Sequence, residues 1–410
     1  MRPNLLFVCV DCLRSDFIGT DHADTPFLDS LAADGLSFDE MYATATTTTP
    51  CVASLFTGTY SEHNGVYSLE AAKLDADVPT LAERFSAAGY ETAALVTGPL
   101  VAETDLDRGF DTYEWRDRRE ELVGDWFDEA VDTVIDLSEP FFCYLHLWEV
   151  HDPVRVPEEF DDPAYGRYPY ARALSALDRA LERFVDRMPA NTVLAVHGDH
   201  GEAVAYRDSH LHRAGRFLRT GLRYGLGLDT RGLERRLKRR FDRDPPVPDH
   251  FMEDGHGENV FDFAANVPLV LSGPGVESGT VDAQVRQVDV TPTLLDLFGV
   301  EPGGGAVDGE SLLPPDELEG RVAYMRACGK SLLREENWQR AVRADGRKYV
   351  EYPNRDWGPE LYDLAADPLE LHPLEEDPVA ARLASHVPEA EGGERERLAI
   401  DGLLEDLGYK

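Results

Sequence analysis

Short apolar runs alternate with amphipathic stretches along most of the chain. Leu5-Leu6-Phe7-Val8-Cys9-Val10 is unbroken, and residues 28–36 after it repeat apolar positions at helical spacing. The pairing recurs, with amphipathic residues 81–88, 126–137 and 171–184 leading into apolar runs at 92–96, 141–147 and 192–196, and a further run at 267–271. Apolar runs without polar alternation suit strands buried on both faces, and the stretches between them suit crossover helices. The pattern predicts an α/β fold: a large, mostly parallel mixed sheet sandwiched by helices. Ligands in such sheets bind beyond the carboxyl ends of the strands. Asp11 directly follows the first run, His151 follows the run at 141–147 and Asp199 the run at 192–196, so the three are expected on one rim.

A helix is expected from Asp289 to Phe298, then a loop at Gly303-Gly304-Gly305. A boundary near Leu318 divides the chain into a main α/β domain, 1–318, and a small C-terminal α+β subdomain, 319–410. The second part carries short strands at 322–327, 339–342 and 348–351, and an acidic tail ending in a helix over 395–407.

Charge changes the picture of the solvent. With 42% hydrophobic residues the 410-residue chain is globular, yet 78 Asp+Glu face 40 Lys+Arg, a net charge of −38, and only five of the basic residues are lysine. That balance disfavours nucleic acid or an anionic membrane as a general partner. It fits a protein kept hydrated in concentrated salt, from a halophilic source. Five cysteines without a paired CxxC half point to reduced thiols. The N-terminal apolar run is too short to span a bilayer, and no other segment is a transmembrane candidate, so a cytoplasmic protein is expected.

One stretch reverses the charge pattern. Between Arg207 and Arg243, twelve Lys+Arg stand against four acids, in an insertion-like segment at about 205–250. Two readings stay open: a helical hairpin whose arginines pair with the acidic body, or a lid that gathers a polyanionic or lipid-phosphate substrate.

The candidate chemistry lies at Thr46-Thr47-Thr48-Thr49-Pro50-Cys51-Val52-Ala53-Ser54-Leu55-Phe56 and at Asp199-His200-Gly201-Glu202. Pro50 suits the first turn of a helix, and Val52, Leu55 and Phe56 follow at helical spacing, so a helix is expected to begin at Thr48 or Thr49. Its unpaired N–H groups and positive dipole end would favour an oxyanion beside the Thr48 hydroxyl; a threonine in that place is otherwise an N-cap. Asp11, Asp199 and His200 form a donor set suited to Zn²⁺ or Mn²⁺, with Ca²⁺ or Mg²⁺ as alternatives, and a bound ion touching Thr48 would activate its oxygen. His151 and His256 are candidates for binding an ester oxygen, protonating a leaving group or holding a second metal. Arg14 is a candidate for orienting the site or binding a phosphoryl oxygen. Cys12 and Cys51 sit close to these ligands and are expected to pack, with contact to the metal as the alternative for Cys12.

These residues resemble the sulfatase family of the alkaline phosphatase superfamily, over nearly the whole chain. The likeness is carried by Leu5 to Asp16, Thr25 to Ala32, Pro50 to Gly65, His151-Asp152-Pro153, Asp199 to Glu202, Val267-Pro268-Leu269, Asp289 to Leu295, Asp308 to Leu312, and Glu360 to Leu364 with Asp367-Pro368. The resemblance implies a nucleophile at Thr48, metal ligands at Asp11, Asp199 and His200, and substrate or second-metal residues at His151 and His256. It also implies departures. Sulfatases carry Cys or Ser where this chain has Thr48, oxidised to formylglycine, and Arg where it has Val52. Cys12 replaces a second Asp, and His200 replaces an Asn.

Threonine cannot form the aldehyde, so the expected protein is a metal-dependent hydrolase or transferase that cleaves a phosphate ester, in particular a phosphodiester, through a phospho-threonine resolved by water or an acceptor hydroxyl. A sulfate-ester hydrolase with threonine as nucleophile and a non-catalytic protein binding anionic glycans are the alternatives. The expected partners are a small-molecule, lipid-linked or glycan ester.

Overall fold

The computed structural model describes residues 2–406 apart from 71, 205–208, 243–244, 254, 306, 330–337, 376 and 390–397. Its large sheet has nine strands: β1 (Asn4–Val10), β2 (Leu36–Tyr42), β3 (Glu91–Val96), β4 (Thr112–Trp115), β5 (Phe141–Leu147), β6 (Thr192–Gly198), β7 (Asn266–Ser272), β8 (Gly279–Val281) and β9 (Val285–Arg286). They lie in the order β4-β3-β5-β1-β6-β7-β2-β8, with β9 also pairing β2. The run from β4 to β6 is parallel, and β7 is antiparallel to both β6 and β2. The predicted mostly parallel mixed sheet is the one formed.

Every residue of β1 is buried, because the strand alternates between two cores. Leu5, Phe7 and Cys9 face one side, against Val52, Leu55 and Phe56 of helix Thr48–Thr57, Phe85 of helix Leu81–Ala87 and Leu294 of helix Val290–Phe298. Leu6, Val8 and Val10 face the other, against Leu28 of helix Pro26–Asp34, Val134 of helix Phe127–Ile135 and Leu177 of helix Pro169–Val185. An unbroken apolar run is what a strand covered on both faces requires.

Strand β2 differs from the sequence expectation, which carried the preceding helix through to Leu36. Helix Pro26–Asp34 stops at Gly35, where a Cβ would lie 2.5 Å from the Leu271 carbonyl oxygen, and Leu36 opens β2 beside β7. A polar centre at Asp39 and Glu40 and a register shift between Phe38 and Met41 hide the strand in the sequence.

A second sheet follows, four antiparallel strands in the order β10 (Ala323–Ala327), β11 (Gln339–Ala344), β12 (Arg347–Glu351) and β13 (Glu360–Asp363). Of the expected tail helix, residues 395–397 and 407 lie outside the described residues, and Asp401–Asp406 is helical. The basic stretch between β6 and β7 forms helices His210–Thr220 and Arg231–Phe241; its Arg207, Asp208 and Arg243 lie outside the described residues. All five cysteines are buried and free of disulfides. Among the described residues no helix is long and apolar enough to cross a membrane.

Candidate metal-binding active site

Register assembles the site. Val10 of β1 lies opposite Leu147 of β5 and Gly198 of β6, so the residues that leave these strands emerge side by side at one rim. Asp11 is tied there by its backbone N–H, which donates to the Leu147 carbonyl at 2.8 Å. Asp199 and His200 follow β6 directly, and His151 closes a turn after β5 with its N–H on the Trp148 carbonyl.

Thr48 comes to this rim from the first turn of its helix. Thr47, with extended backbone, is the N-cap, so the Thr48 side chain is not spent on capping. The Thr48 hydroxyl is fully buried, donates to Asp11 Oδ2 at 3.1 Å and lies 3.3 Å from His200 Nε2.

The surrounding donors are arranged as a cation cradle. Asp199 Oδ1 accepts from the backbone N–H groups of Cys12 (3.1 Å) and His200 (2.8 Å), which fixes the carboxylate. Its Oδ2 has no hydrogen-bond partner among the described residues. Orphaned buried polar atoms of this kind are costly unless a ligand satisfies them. Three triads have donor atoms within 4.8 Å of one another: Asp11, Asp199 and His200; Asp11, Cys12 and His151; and Cys12, His200 and His256. Carboxylate, imidazole and thiol donors around one point suit a borderline ion such as Zn²⁺.

Electrostatics agree with that fit. Burial, then the facing Asp11 carboxylate, pushes Asp199 well above the usual carboxylate range. Burial acts on Asp11 in the same sense, but the imidazoles around it, His146 first and then His151 and His200, hold it well below that range. Two buried carboxyls in opposition are relieved by a shared proton or by a cation between them. Burial, then His256, pulls His200 down to about 3, leaving the neutral imidazole that coordination requires. His151, lowered by burial, is neutral too and stacks on Trp148 with ring centres 3.9 Å apart. His256 is the exception: burial would lower it, but the Glu202 carboxylate outweighs burial and raises it, so it holds a proton more firmly. Glu202 Oε1 lies 3.8 Å from His256 Nδ1.

Asp11, Thr48, His151, Asp199, His200 and His256 are thus brought together. Arg14 is not. Its guanidinium is fully buried and all five of its donors are committed: to both Asp16 carboxylate oxygens, to Asp249 Oδ2, and to the Glu202 and Pro248 carbonyls. The expected contact with a phosphoryl oxygen gives way to a clamp between the strand-end loops, since no N–H remains to offer. Cys51 lies in the core, its thiol donating to the Ala45 carbonyl.

Cys12 departs from the packing role expected of it. It has a left-handed backbone, φ 64°, and its Sγ lies 3.0 Å from Asp11 Oδ1, 3.8 Å from His200 Nδ1 and 3.7 Å from His256 Nδ1. Sequence reasoning also missed His146, whose Nε2 is 3.5 Å from Asp11 Oδ2, and the role of Glu202. The signal for His146 was present, since it lies opposite Cys9 near the end of the run that precedes His151.

Comparison with known proteins accords with this arrangement. A sulfatase of Escherichia coli, YidJ, is 25% identical over 92% of this chain and 84% of its own length. An N-acetylglucosamine-6-O-sulfatase of Bacteroides thetaiotaomicron is 23% identical over 90% and 82%. Among solved structures, the phosphonate monoester hydrolase of Agrobacterium radiobacter shares the fold with a TM-score of 0.70, at 19% identity and 94% coverage of both chains. The sulfatase family model matches residues 3–300, which include every residue of the cluster at the strand ends, and the chain belongs to the sulfatase family of ester hydrolases.

Proposed function

We propose that the protein cleaves a phosphate ester, in particular a phosphodiester, with the Thr48 hydroxyl as nucleophile. The observation that carries this reading is the placement of that hydroxyl: outside the helix cap, bonded to Asp11, and facing His200 within the ligand cluster. Asp11, Asp199 and His200 are the residues to hold a divalent ion, Zn²⁺ or Mn²⁺ by donor chemistry. Such an ion, when bound, screens the charge of the ester and favours the alkoxide of Thr48.

The protein groups divide the remaining work. The Thr48 hydroxyl, its alkoxide form favoured in this way, gives its proton to solvent water, and the Thr48 Oγ–P bond forms as the bond from phosphorus to the leaving alcohol breaks. His256, whose hold on a proton Glu202 strengthens, delivers a proton to the departing oxygen. In the second half, water gives a proton to His256 and attacks phosphorus. Thr48 Oγ departs as the alkoxide and takes a proton from solvent water. The positive dipole end of helix Thr48–Thr57 lies at Thr48 and favours the charge that develops beside it.

A sulfate ester is the second reading, favoured by the relatives named as sulfatases. The side chain at position 48 argues against it. A formylglycine hydrate has a second hydroxyl that expels sulfate, whereas a threonine ester has none and must be opened by attack at the central atom. Turnover of an aryl phosphodiester and an aryl sulfate on one metal-loaded sample separates the two. Thr48→Ala is expected to lower phosphodiester turnover by at least about a thousandfold, with an unchanged near-ultraviolet circular dichroism spectrum. Retained turnover in that variant refutes the assignment.

A further inference from the structure

The insertion between β6 and β7 inverts the usual arrangement of a surface helix, which buries its apolar stripe and turns charge to water. Arg216 and Arg219 of helix His210–Thr220 are buried, as are Arg231, Glu234 and Lys238 of helix Arg231–Phe241. Arg219 reaches Glu253 at 2.9 Å and Glu258 at 2.8 Å, and Lys238 Nζ takes the other Glu253 oxygen at 2.5 Å. Both helices are therefore pinned by their charged faces to the segment that carries His256.

The hairpin exposes apolar side chains as well: Phe217 (83% exposed), Leu218 and Leu233 on the helices, Leu226 and Leu228 on the link between them, and Phe241, whose ring also packs edge-on against Phe251. These are six of the nine large apolar side chains that stand in solvent among the described residues. Exposed patches of this kind mark interaction surfaces. On the second helix, Leu233, Arg236 and Arg240 follow one another at helical spacing and all are exposed, so cationic groups share the apolar face.

We propose that this face docks on an anionic lipid surface, with the phenylalanine and leucine side chains at the acyl boundary and Arg236 and Arg240 at headgroup phosphates. Charge selects the occupant. A second copy related by twofold symmetry would set these arginines against their own counterparts, and a neutral apolar partner would leave them unmatched. The acidic body, with a net charge of −38, offers such a surface no attraction of its own, so attachment falls to this face. The proposal is independent of the bond that the active site breaks.

Sedimentation of the full chain with phosphatidylcholine vesicles, and with vesicles that also contain phosphatidylglycerol, tests it, alongside light scattering without lipid. The wild type is expected to sediment with the anionic vesicles. Phe217→Ser/Leu218→Ser is expected to bind at least about tenfold more weakly, and Arg236→Glu/Arg240→Glu to lose the preference for anionic over neutral vesicles. Both variants change exposed side chains and should keep the wild-type melting temperature. The proposal is overturned if the wild type stays in the supernatant or if both variants bind as it does. It is overturned equally if a lipid-free dimer forms that Phe217→Ser/Leu218→Ser dissociates, since the face is then a contact between copies.

Discussion

Cys12 is the residue at which local strain and chemistry meet. A left-handed backbone is unfavourable for an L-residue with a side chain, and here it directs the thiol onto Asp11, His200 and His256. Thiolate selects zinc over harder ions, whereas oxygen donors suit Mn²⁺, Mg²⁺ or Ca²⁺. Cys12→Ser is accordingly expected to weaken Zn²⁺ binding by about tenfold or more relative to Mn²⁺, measured by competition with a chromophoric chelator. An unchanged Zn²⁺/Mn²⁺ ratio would return Cys12 to a packing role. In the sequence Cys12 stands next to Asp11, which left metal contact open beside packing, but the approach to His200 and His256, 188 and 244 positions away, is made only by the fold. Asp11, Asp199 and His151 were legible because each follows an apolar run directly or within a turn.

At the scale of the element, helix Thr48–Thr57 positions its first residue by what its body buries. Phe56 is 1% exposed and packs edge-on against Tyr144 of β5, ring centres 4.7 Å apart, on the face of the sheet that β1 shares. Phe56→Ala should cost about 3–5 kcal/mol, read from denaturant unfolding, and should reduce turnover by tilting the helix that carries Thr48. A loss below about 1 kcal/mol would mean that the helix is held by other contacts. The central strands were legible as unbroken runs because helices cover both of their faces. Strand β2 was not, because its place is set by β7, whose residues come more than two hundred positions later, and by the tight packing of Gly35 against Leu271. The inward arginines of helices His210–Thr220 and Arg231–Phe241 were visible as a basic stretch, but their direction depended on Glu253 and Glu258, partners that only the fold brings near.

For the whole molecule, the net charge of −38 acts over distances that salt controls. Self-repulsion among 78 acidic side chains opposes compaction, so we propose that the chain is adapted to concentrated salt. The melting temperature is expected to rise as KCl is raised from millimolar to molar levels at constant metal saturation; a salt-independent value would contradict this. Both cores, the strand register and the helix start at Thr48 converge on one side-chain oxygen, and its reaction is the most direct test. Acid quenching during turnover of an aryl phosphodiester, followed by mass spectrometry of the peptide that spans residues 43–66, is expected to find a phosphoryl group on Thr48. A full burst of released alcohol with that peptide unmodified, or with the group on another residue, would contradict the account.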